Sequence, residues 1–286
     1  MAIHTSLESL FSDIADKLRD KGCYSEGLKF RFSSNTMDYY IDHMCYGNNR
    51  FVGVSDHLSV GFYSDDGVTW VQTTMPEGFW SYVCYGNGKF VAVGKDRHLD
   101  TFMSAYSEDG ITWTLGESPG FLAPICFGNN MFVLAPSSYA DISGSSEYNG
   151  AYSVDGIHWT GIVTNLGVDF KGEKICFGNN RFVAAGDGKN CLYSVDGINW
   201  EAVALKESYT RQYYNTLCFD GERFVVCDWE GVVGVRFLFS YDGETWYPTP
   251  SSNLLAVTGG FLEYVNGTYI LSGIIGLDPD SLGFDE

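Results

Sequence analysis

The sequence is poor in proline, in basic residues and in long apolar runs. Only 7 of its 286 residues are proline, whereas 34 are glycine, a balance that favours tight turns between short strands. Lysine and arginine total 17 against 36 acidic residues, and the resulting charge of −19 repels nucleic acid. No run of about 18 apolar residues occurs. We therefore expect no nucleic-acid partner and no membrane insertion.

The start of the chain also lacks the basic and apolar regions of a secretory signal peptide, so we expect synthesis in the bacterial cytoplasm.

The eight cysteines form no Cys-x-x-Cys pair. Five of them share one position of a repeat, and equivalent positions in different repeats lie too far apart for a disulfide. We predict buried free thiols. The histidines occupy unlike repeat positions, so we expect no metal and no cofactor.

An eight-residue unit recurs six times along the chain. Its copies are CYGNNRFV at 45–52, CYGNGKFV at 84–91, CFGNNMFV at 126–133, CFGNNRFV at 176–183, CFDGERFV at 218–225 and the weaker EYVNGTYI at 263–270. Asparagine and glycine tolerate the positive φ of a two-residue turn, and apolar residues flank that turn on both sides. Each copy therefore predicts a β-hairpin.

A second unit lies between copies of the first. It is SDDGVTW at 64–70, SEDGITW at 107–113, SVDGIHW at 153–159, SVDGINW at 194–200 and SYDGETW at 240–246. Successive tryptophans are 41 to 46 residues apart, which fits one four-stranded blade per repeat. We predict that the aspartate accepts turn N–H groups and that the tryptophan packs between sheets, which makes both structural rather than catalytic or calcium-binding. These residues are Asp66, Trp70, Asp109, Trp113, Asp155, Trp159, Asp196, Trp200, Asp242 and Trp246.

The second unit resembles the Asp-box (BNR) motif, S-x-D-x-G-x-x-W, of sialidases and other β-propellers. It differs by lacking the residue between aspartate and glycine. The resemblance runs over residues 24–274 and implies an all-β fold, a six-bladed β-propeller of four-stranded blades at 23–286. Because such motifs occur in propellers with unrelated roles, the resemblance implies little about function.

The last predicted blade has a hairpin but no second unit of its own. The missing half matches YSEGLKF at 24–30, with Phe30 in the place of the tryptophan. Phe30 precedes Cys45 by 15 residues, much as Trp70 precedes Cys84 by 14. We therefore predict that N-terminal strands close the ring, which would remove open sheet edges.

A different element precedes this segment. Thr5 and Glu8 form a capping box, and Gly22 is a stop signal, which together predict a short N-terminal α-helix at about 6–20. Its apolar stripe consists of Leu7, Leu10, Phe11, Ile14 and Leu18. The stripe either packs on the propeller or makes residues 1–22 a docking and oligomerisation element.

The sequence SLFSDIADKLRDKG at 9–22 resembles the N-terminus of tail-associated proteins of phages of Gram-positive bacteria. This resemblance implies a location in the virion tail. It also implies other virion or tail proteins as partners of the N-terminal helix, and a homo-oligomer.

Candidate ligand-binding residues come from the connections that vary between repeats. Variable loops on a rigid scaffold often carry recognition, and aromatic faces beside polar groups suit sugars. The candidates are Trp80, Arg97, His98, Tyr139, Tyr148, Arg211, Tyr213, Tyr214 and Trp229. They predict that the partner is a host cell-surface glycan or receptor.

Catalytic chemistry finds little support. The resemblance to sialidases implies an arginine triad and an F/Y-R-I-P segment, but the segment is absent, and Arg50, Arg181 and Arg223 share one hairpin-turn position. Nucleophile-elbow, zinc-protease and phosphate-loop motifs are also absent. We predict a binding protein that is not an enzyme. A purely structural virion or scaffold protein and a glycoside hydrolase of sialidase-like architecture remain as alternatives.

Overall fold

A computed structural model of the chain describes residues 31–34, 37–67, 69–99, 101–137, 148–168, 170–187, 190–205, 216–229, 235–248, 262–265, 268–271 and 274–277. Across these residues the regular structure is all β-strand, without a helix. It follows that no membrane-spanning helix occurs within these ranges. The predicted helix at 6–20, its stripe (Leu7, Leu10, Phe11, Ile14 and Leu18) and Phe30 lie outside them.

Two compact units make up the chain: unit 1 is Met1–Ser118 with Gly156–His158, and unit 2 is Pro119–Asp155 with Trp159–Glu286. Unit 1 begins with a hairpin of β1 (Arg31–Ser34) and β2 (Met37–Tyr40). One four-stranded sheet follows, with β3 (His43–Gly47), β4 (Arg50–Val54), β5 (Val60–Ser64) and β6 (Val71–Thr74). A second consists of β7 (Phe79–Gly86), β8 (Lys89–Lys95), β9 (Phe102–Ser107) and β10 (Thr114–Leu115).

Unit 2 repeats this pattern three times. Its first sheet has β11 (Ile125–Gly128), β12 (Met131–Leu134), β13 (Gly150–Ser153) and β14 (Thr160–Ile162). Its second has β15 (Lys171–Gly178), β16 (Arg181–Asp187), β17 (Asn190–Ser194) and β18 (Glu201–Ala204). Its third has β19 (Thr216–Phe219), β20 (Phe224–Trp229), β21 (Val235–Ser240) and β22 (Tyr247–Pro248). A three-stranded sheet of β23 (Leu262–Val265), β24 (Thr268–Leu271) and β25 (Ile274–Leu277) follows.

Every sheet is antiparallel, and its strands lie side by side in chain order. For the described residues, the prediction of an all-β structure with repeated four-stranded sheets is confirmed. A sixth blade and a ring closed by N-terminal strands remain predictions.

Asparagines in the left-handed region make the first hairpin turns. Asn129 and Asn130 have φ of 47° and 59°, and Asn179 and Asn180 have 46° and 58°. Two consecutive positive φ angles define the turn type that matches the twist of the strands on either side. The repeated Asn-Asn pair therefore fixes the register of these hairpins, as in the pairing of Gly128 with Met131.

An aromatic ring of one sheet covers a glycine of the preceding sheet in the same unit. In unit 2, a Cβ atom added to Gly128 would lie 2.2 Å from Phe177 Cγ, and one added to Gly178 would lie 2.3 Å from Phe219 Cγ. Tyr85 covers Gly47 in the same way in unit 1. The Cys-aromatic-Gly sequence of the first repeat thus supplies both partners of the contact between sheets.

Replacing Gly128 with alanine is expected to lower the free energy of unfolding by about 1–3 kcal/mol, because the added methyl group overlaps the Phe177 ring. Gly150→Ala is the matched control, since its Cβ would meet Ile162 and Pro136 at an ordinary 3.5 Å. Urea denaturation of the two variants measures the difference. Equal stability of both would contradict the packing of Phe177 on Gly128.

The core of each unit lies between its sheets. In unit 1 Cys45, Val52 and Phe90 belong to one buried cluster, and in unit 2 Cys191 and Phe224 belong to another. The cysteines whose side chains are described form no disulfide, as predicted, and all but the half-buried Cys176 are buried. Burial raises the pKa of the Cys45 and Cys191 thiols, which keeps them neutral and apolar in character.

Candidate functional site

Each four-stranded sheet has two unlike ends. In an antiparallel sheet whose strands follow chain order, the turns from first to second strand and from third to fourth strand fall at the same end. We call this the turn end, because it contains the Asn turns and the Ser-x-Asp-Gly turns. The opposite loop end holds the longer connections, from second to third strand and from one sheet to the next.

The Ser-x-Asp-Gly turns satisfy their own polar groups. In the turn after β17, Ser194 Oγ donates to Asp196 Oδ1 (3.0 Å), and the Gly197 N–H donates to Ser194 Oγ (2.8 Å). The Asn199 N–H donates to Asp196 Oδ1 (2.7 Å), and the Trp200 indole N–H donates to the Gly197 carbonyl (3.1 Å). The aspartate thus has a structural role, since its carboxylate fixes the turn.

The other turns have the same design. A serine hydroxyl donates to Asp66, Asp109, Asp155 and Asp242 at 2.8 to 3.1 Å. Trp246 is buried like Trp200, whereas Trp70, Trp113 and Trp159 are half-buried.

These hydrogen bonds alter the acidity of the turn carboxylates. Burial alone would raise the pKa of Asp196, but hydrogen bonds from Asn199, Ile198 and Ser194 outweigh it and lower the pKa to about 2. The same opposition, with bonds from Thr112, Ile111 and Ser107, lowers the pKa of Asp109 to about 2. Carboxylates this acidic stay ionised at neutral pH and cannot act as general acids.

The arginine of the first repeat also serves the turn end. Arg50 Nε donates to Asp65 Oδ1 (2.7 Å), and its Nη1 donates to the Asp109 carbonyl of the next sheet (2.8 Å). Arg181 pairs with Glu244 and Arg223 with Asp220. The turn end therefore leaves these guanidinium groups engaged in structural contacts.

The loop end of unit 1 is a rigid frame of three connections. The connection after β4 is joined to the start of β7 by a hydrogen bond from the Trp80 N–H to the Ser55 carbonyl (3.0 Å). Ser59 Oγ both accepts from the Gly78 N–H and donates to the Gly78 carbonyl, each at 3.0 Å. The connection after β8 is closed by a bond from the Asp96 N–H to the Thr101 carbonyl (2.8 Å).

Five exposed polar side chains project from this frame, and we call them the loop cluster: Asp56, His57, Glu77, Arg97 and His98. His57 Nε2 lies 2.9 Å from Asp56 Oδ1, and His98 Nε2 lies 3.3 Å from Glu77 Oε1. Arg97 Cζ lies 5.7 Å from the centre of the Phe79 ring. The cluster thus presents donors, acceptors and an aromatic ring at the loop end of unit 1.

Asp96 positions the part of the cluster that contains His98. Its Oδ1 accepts hydrogen bonds from the backbone N–H groups of His98 and Leu99, both at 2.7 Å. These two bonds lower the pKa of Asp96. Among the arginines whose side chains are described, Arg97 differs from Arg50, Arg181 and Arg223 in having no carboxylate within ion-pair distance.

Asp42, Asp56 and His57 bring ligand atoms within 4.8 Å of one another. Oxygen and imidazole ligands suit a divalent cation. However, Asp42 Oδ2 already accepts bonds from the Asp56 N–H (3.0 Å) and from Ser55 Oγ (3.3 Å), and Asp56 pairs with His57. The contacts within the group account for its geometry, and we assign no metal to it.

Trp80 does not belong to the candidate ligand-binding set, contrary to the prediction. Its side chain is 0% exposed, lies in the core cluster of unit 1, and donates its indole N–H to the Pro76 carbonyl (3.0 Å). The sequence places it in a connection, whereas the structure starts β7 at Phe79 and has a bulge between Trp80 and Tyr82. Strand residues point alternately to the two faces, and this register turns Trp80 inward.

The other candidates have different locations. Arg97 and His98 lie together in the loop cluster. Tyr148 lies in unit 2, 41% exposed, with its ring covering Gly161. Trp229 is the last residue of β20, and its side chain is not described. Four candidates lie outside the described residues: Tyr139, Arg211, Tyr213 and Tyr214.

Three functional candidates were missed by sequence reasoning: Asp56, His57 and Glu77. Their one sequence signal is a position in connections that differ between repeats. The contact of Glu77 with His98 joins two connections that are far apart in the sequence, and no local pattern reveals it.

Neither the family models nor the curated protein sequences give a match to this chain. Among solved structures it is similar to YCF48 bound to D1 peptide, with a TM-score of 0.52 and 16% identity over 77% of this chain and 69% of that one. It is also similar to a structural genomics protein of unknown function from Bacteroides thetaiotaomicron. The TM-score is 0.53 and the sequence identity is 9%, over 89% of this chain and 66% of that one. An ancestral GH74 enzyme gives a TM-score of 0.52 and a sequence identity of 15%, over 82% of this chain and only 33% of the enzyme. At these identities the likeness concerns the fold alone, and it supports a β-propeller.

Proposed function

We propose that this chain is a non-enzymatic, virion-associated β-propeller of the Asp-box type that binds a host-surface glycan through the loop end of unit 1. The loop cluster is the observation that carries the proposal. The N-terminal segment 1–22 is the element that docks the propeller to other tail proteins or to further copies of itself.

The chemistry of the loop cluster suits a saccharide. Sugar hydroxyls both donate and accept hydrogen bonds, which matches the guanidinium of Arg97 and the carboxylates of Asp56 and Glu77. The apolar C–H face of a pyranose packs on an aromatic ring such as that of Phe79. The backbone bonds that hold the three connections reduce the entropy lost on binding.

The two sheet ends divide structural and binding roles. At the turn end, Asn turns, Ser-x-Asp-Gly turns and arginine contacts engage many of the polar groups within each unit. The side chains of the loop cluster are exposed, and they include the pairs Asp56 with His57 and Glu77 with His98. This division supports the loop end as the recognition surface. A binding role agrees with a propeller fold, which also serves enzymes.

Purified protein tests the proposal in a glycan-array and whole-cell binding screen at fixed salt. The Arg97→Ala/His98→Ala double variant is expected to lose binding by about tenfold or more, since each polar contact contributes about 1 kcal/mol. Gln72→Ala, which changes an exposed residue of β6, is the control and should bind like the native protein. If the folded native protein bound no glycan and no cell, the binding proposal would fall and the purely structural role would remain.

A glycoside hydrolase is the second candidate, favoured by one observation. The ligand oxygens of Asp42 and Asp56 lie within 4.8 Å, and retaining enzymes place two carboxyl groups about 5–5.5 Å apart. The hydrogen bond from the Asp56 N–H to Asp42 already explains why the two carboxylates lie close together. We therefore place hydrolysis second to binding. The test measures the release of reducing sugar from a bound glycan. If the native protein released sugar and both Asp42→Asn and Asp56→Asn abolished that release, the function would be hydrolysis rather than binding.

A further inference from the structure

The loop end of unit 2 holds an exposed tyrosine against the backbone of a strand. Tyr148 lies just before β13 and is 41% exposed. A Cβ atom added to Gly161 of β14 would overlap its ring, so the ring rests directly on the β14 backbone. A Cβ atom added to Gly120 would lie 3.9 Å from Tyr148 Cδ2, so a second connection reaches the ring. We call the Tyr148 ring on Gly161 the tyrosine platform.

The fold does not require this platform. Tyr148 lies five residues before Ser153, and Ser59 has the equivalent place before Ser64 in the first sheet of unit 1. The position of Gly161, two residues after the tryptophan of the second repeat, carries a side chain in the other described four-stranded sheets: Gln72, Leu115, Ala202 and Pro248. Those sheets form without a ring in this place. The paired Tyr148 and Gly161 therefore need a cause other than sheet formation.

Hydrogen bonds fix the platform on both sides of the ring. The Asn149 N–H donates to the Ile162 carbonyl (2.9 Å). Asn149 Nδ2 donates to the Thr164 carbonyl (2.5 Å), and its Oδ1 accepts from the Thr164 N–H (2.9 Å). The residue after Tyr148 is thus bonded to the chain that follows β14. A ring held in this way loses little conformational entropy when a ligand packs on it.

The same bonds bring two exposed polar residues to the platform. Asn165 directly follows the segment that is bonded to Asn149. On the other side, the Ser137 N–H donates to the Asn149 carbonyl (2.8 Å), and Ser137 Oγ donates to the Phe170 carbonyl (3.2 Å). Lys171 directly follows Phe170. Printed contacts within unit 2 therefore connect the aromatic ring with an amide and an ammonium group.

These groups suit an uncharged sugar. Lys171 Nζ lies 2.8 Å from Glu173 Oε1, so the two charges offset each other. Asn165 Oδ1 accepts from the Gly167 N–H (3.2 Å), which helps to orient an amide whose NH2 group donates hydrogen bonds. The apolar C–H face of a pyranose packs on an exposed aromatic ring, and its hydroxyl groups bond to such polar neighbours.

We propose that the tyrosine platform of unit 2 is a second saccharide-binding site, which takes a neutral hexopyranose. The inference rests on the proposed glycan binding and extends it to a site that is separate from the loop cluster of unit 1.

The test uses the full chain with Arg97→Ala/His98→Ala, so that the loop cluster contributes little. The probes are the methyl glycosides of glucose, galactose and N-acetylglucosamine, titrated in saturation-transfer NMR. This chain should bind at least one of them. Adding Tyr148→Ala should weaken that binding about five- to tenfold, because the stacking surface is lost. Tyr148→Phe keeps the ring and should keep the affinity.

Tyr247→Ala is the matched control, since it removes another exposed tyrosine of unit 2, 47% exposed in β22, and should leave the affinity unchanged. Circular dichroism checks that each variant is folded. Gly161→Ala keeps Tyr148 but displaces its ring, and it should also weaken binding.

The inference is overturned if no probe binds, if Tyr148→Ala or Gly161→Ala leaves the affinity unchanged, or if Tyr148→Phe loses as much as Tyr148→Ala. These failures are distinguishable from a failure of the loop site. Native glycan binding that depends on Arg97 and His98 but not on Tyr148 would leave the loop site standing alone. Probe binding that depends on Tyr148, in a protein whose glycan binding ignores Arg97 and His98, would leave only the platform.

Discussion

Replacing Trp80 with alanine is expected to lower the free energy of unfolding by about 3–5 kcal/mol. The indole is fully buried in unit 1, where it packs in the cluster that contains Val52 and Phe90. The substitution removes a large apolar area, leaves a cavity and deprives the Pro76 carbonyl of its donor. Guanidinium denaturation followed by circular dichroism measures the loss as a shift of the midpoint.

Two further variants separate this structural role from ligand contact. Trp80→Phe keeps most of the apolar volume and should recover a large part of the stability. Arg97→Ala, at an exposed position, should leave the free energy of unfolding within about 0.5 kcal/mol of native. If Trp80→Ala lost glycan binding with no change in stability, Trp80 would be a binding residue after all.

Much of the fold follows from local chemistry in the sequence. The Asn-Asn pairs predict the hairpins because few other residues adopt two successive positive φ angles. The Ser-x-Asp-Gly turns are equally local, since the serine and aspartate side chains bond to groups within a few residues of the chain. Repetition strengthens the prediction, because a turn sequence that recurs at the spacing of a blade predicts a sheet at each recurrence.

The loop cluster could not be predicted in the same way. Glu77 and His98 come from connections 21 residues apart, and their contact depends on how β7 and β8 set the two loops. Trp80 shows the opposite error. An aromatic residue in a variable connection has the composition of a binding site, yet a strand that starts a few residues earlier turns it into the core.

Lowering the pH from about 5 to 2 is expected to destabilise the protein through its turn aspartates. The folded pKa of Asp109 and of Asp196 is about 2, below the ordinary value of 3.8. A carboxyl group whose folded pKa is depressed stabilises the fold above its unfolded pKa, and this contribution disappears as the pH falls to the folded pKa. The window is therefore about pH 4 to 2. Since Asp109 is exposed and Asp196 is half-buried, each contributes about 1 kcal/mol after discounting for solvent screening.

The pH dependence of the free energy of unfolding, taken from urea titrations between pH 5.5 and 2.5, measures this effect. Its slope reports the protons bound on unfolding, and Asp196→Asn should reduce that slope because the group no longer titrates. Asn199→Ala removes the bond from Asn199 Nδ2 to Asp196 Oδ2 (2.7 Å) and should give a smaller reduction. A slope identical in the native protein and in Asp196→Asn would mean that the turn carboxylate gains nothing from its hydrogen bonds. A slope that is steepest in the native protein, smaller in Asn199→Ala and smallest in Asp196→Asn would instead show that stability in acid depends on the turns that define the repeat.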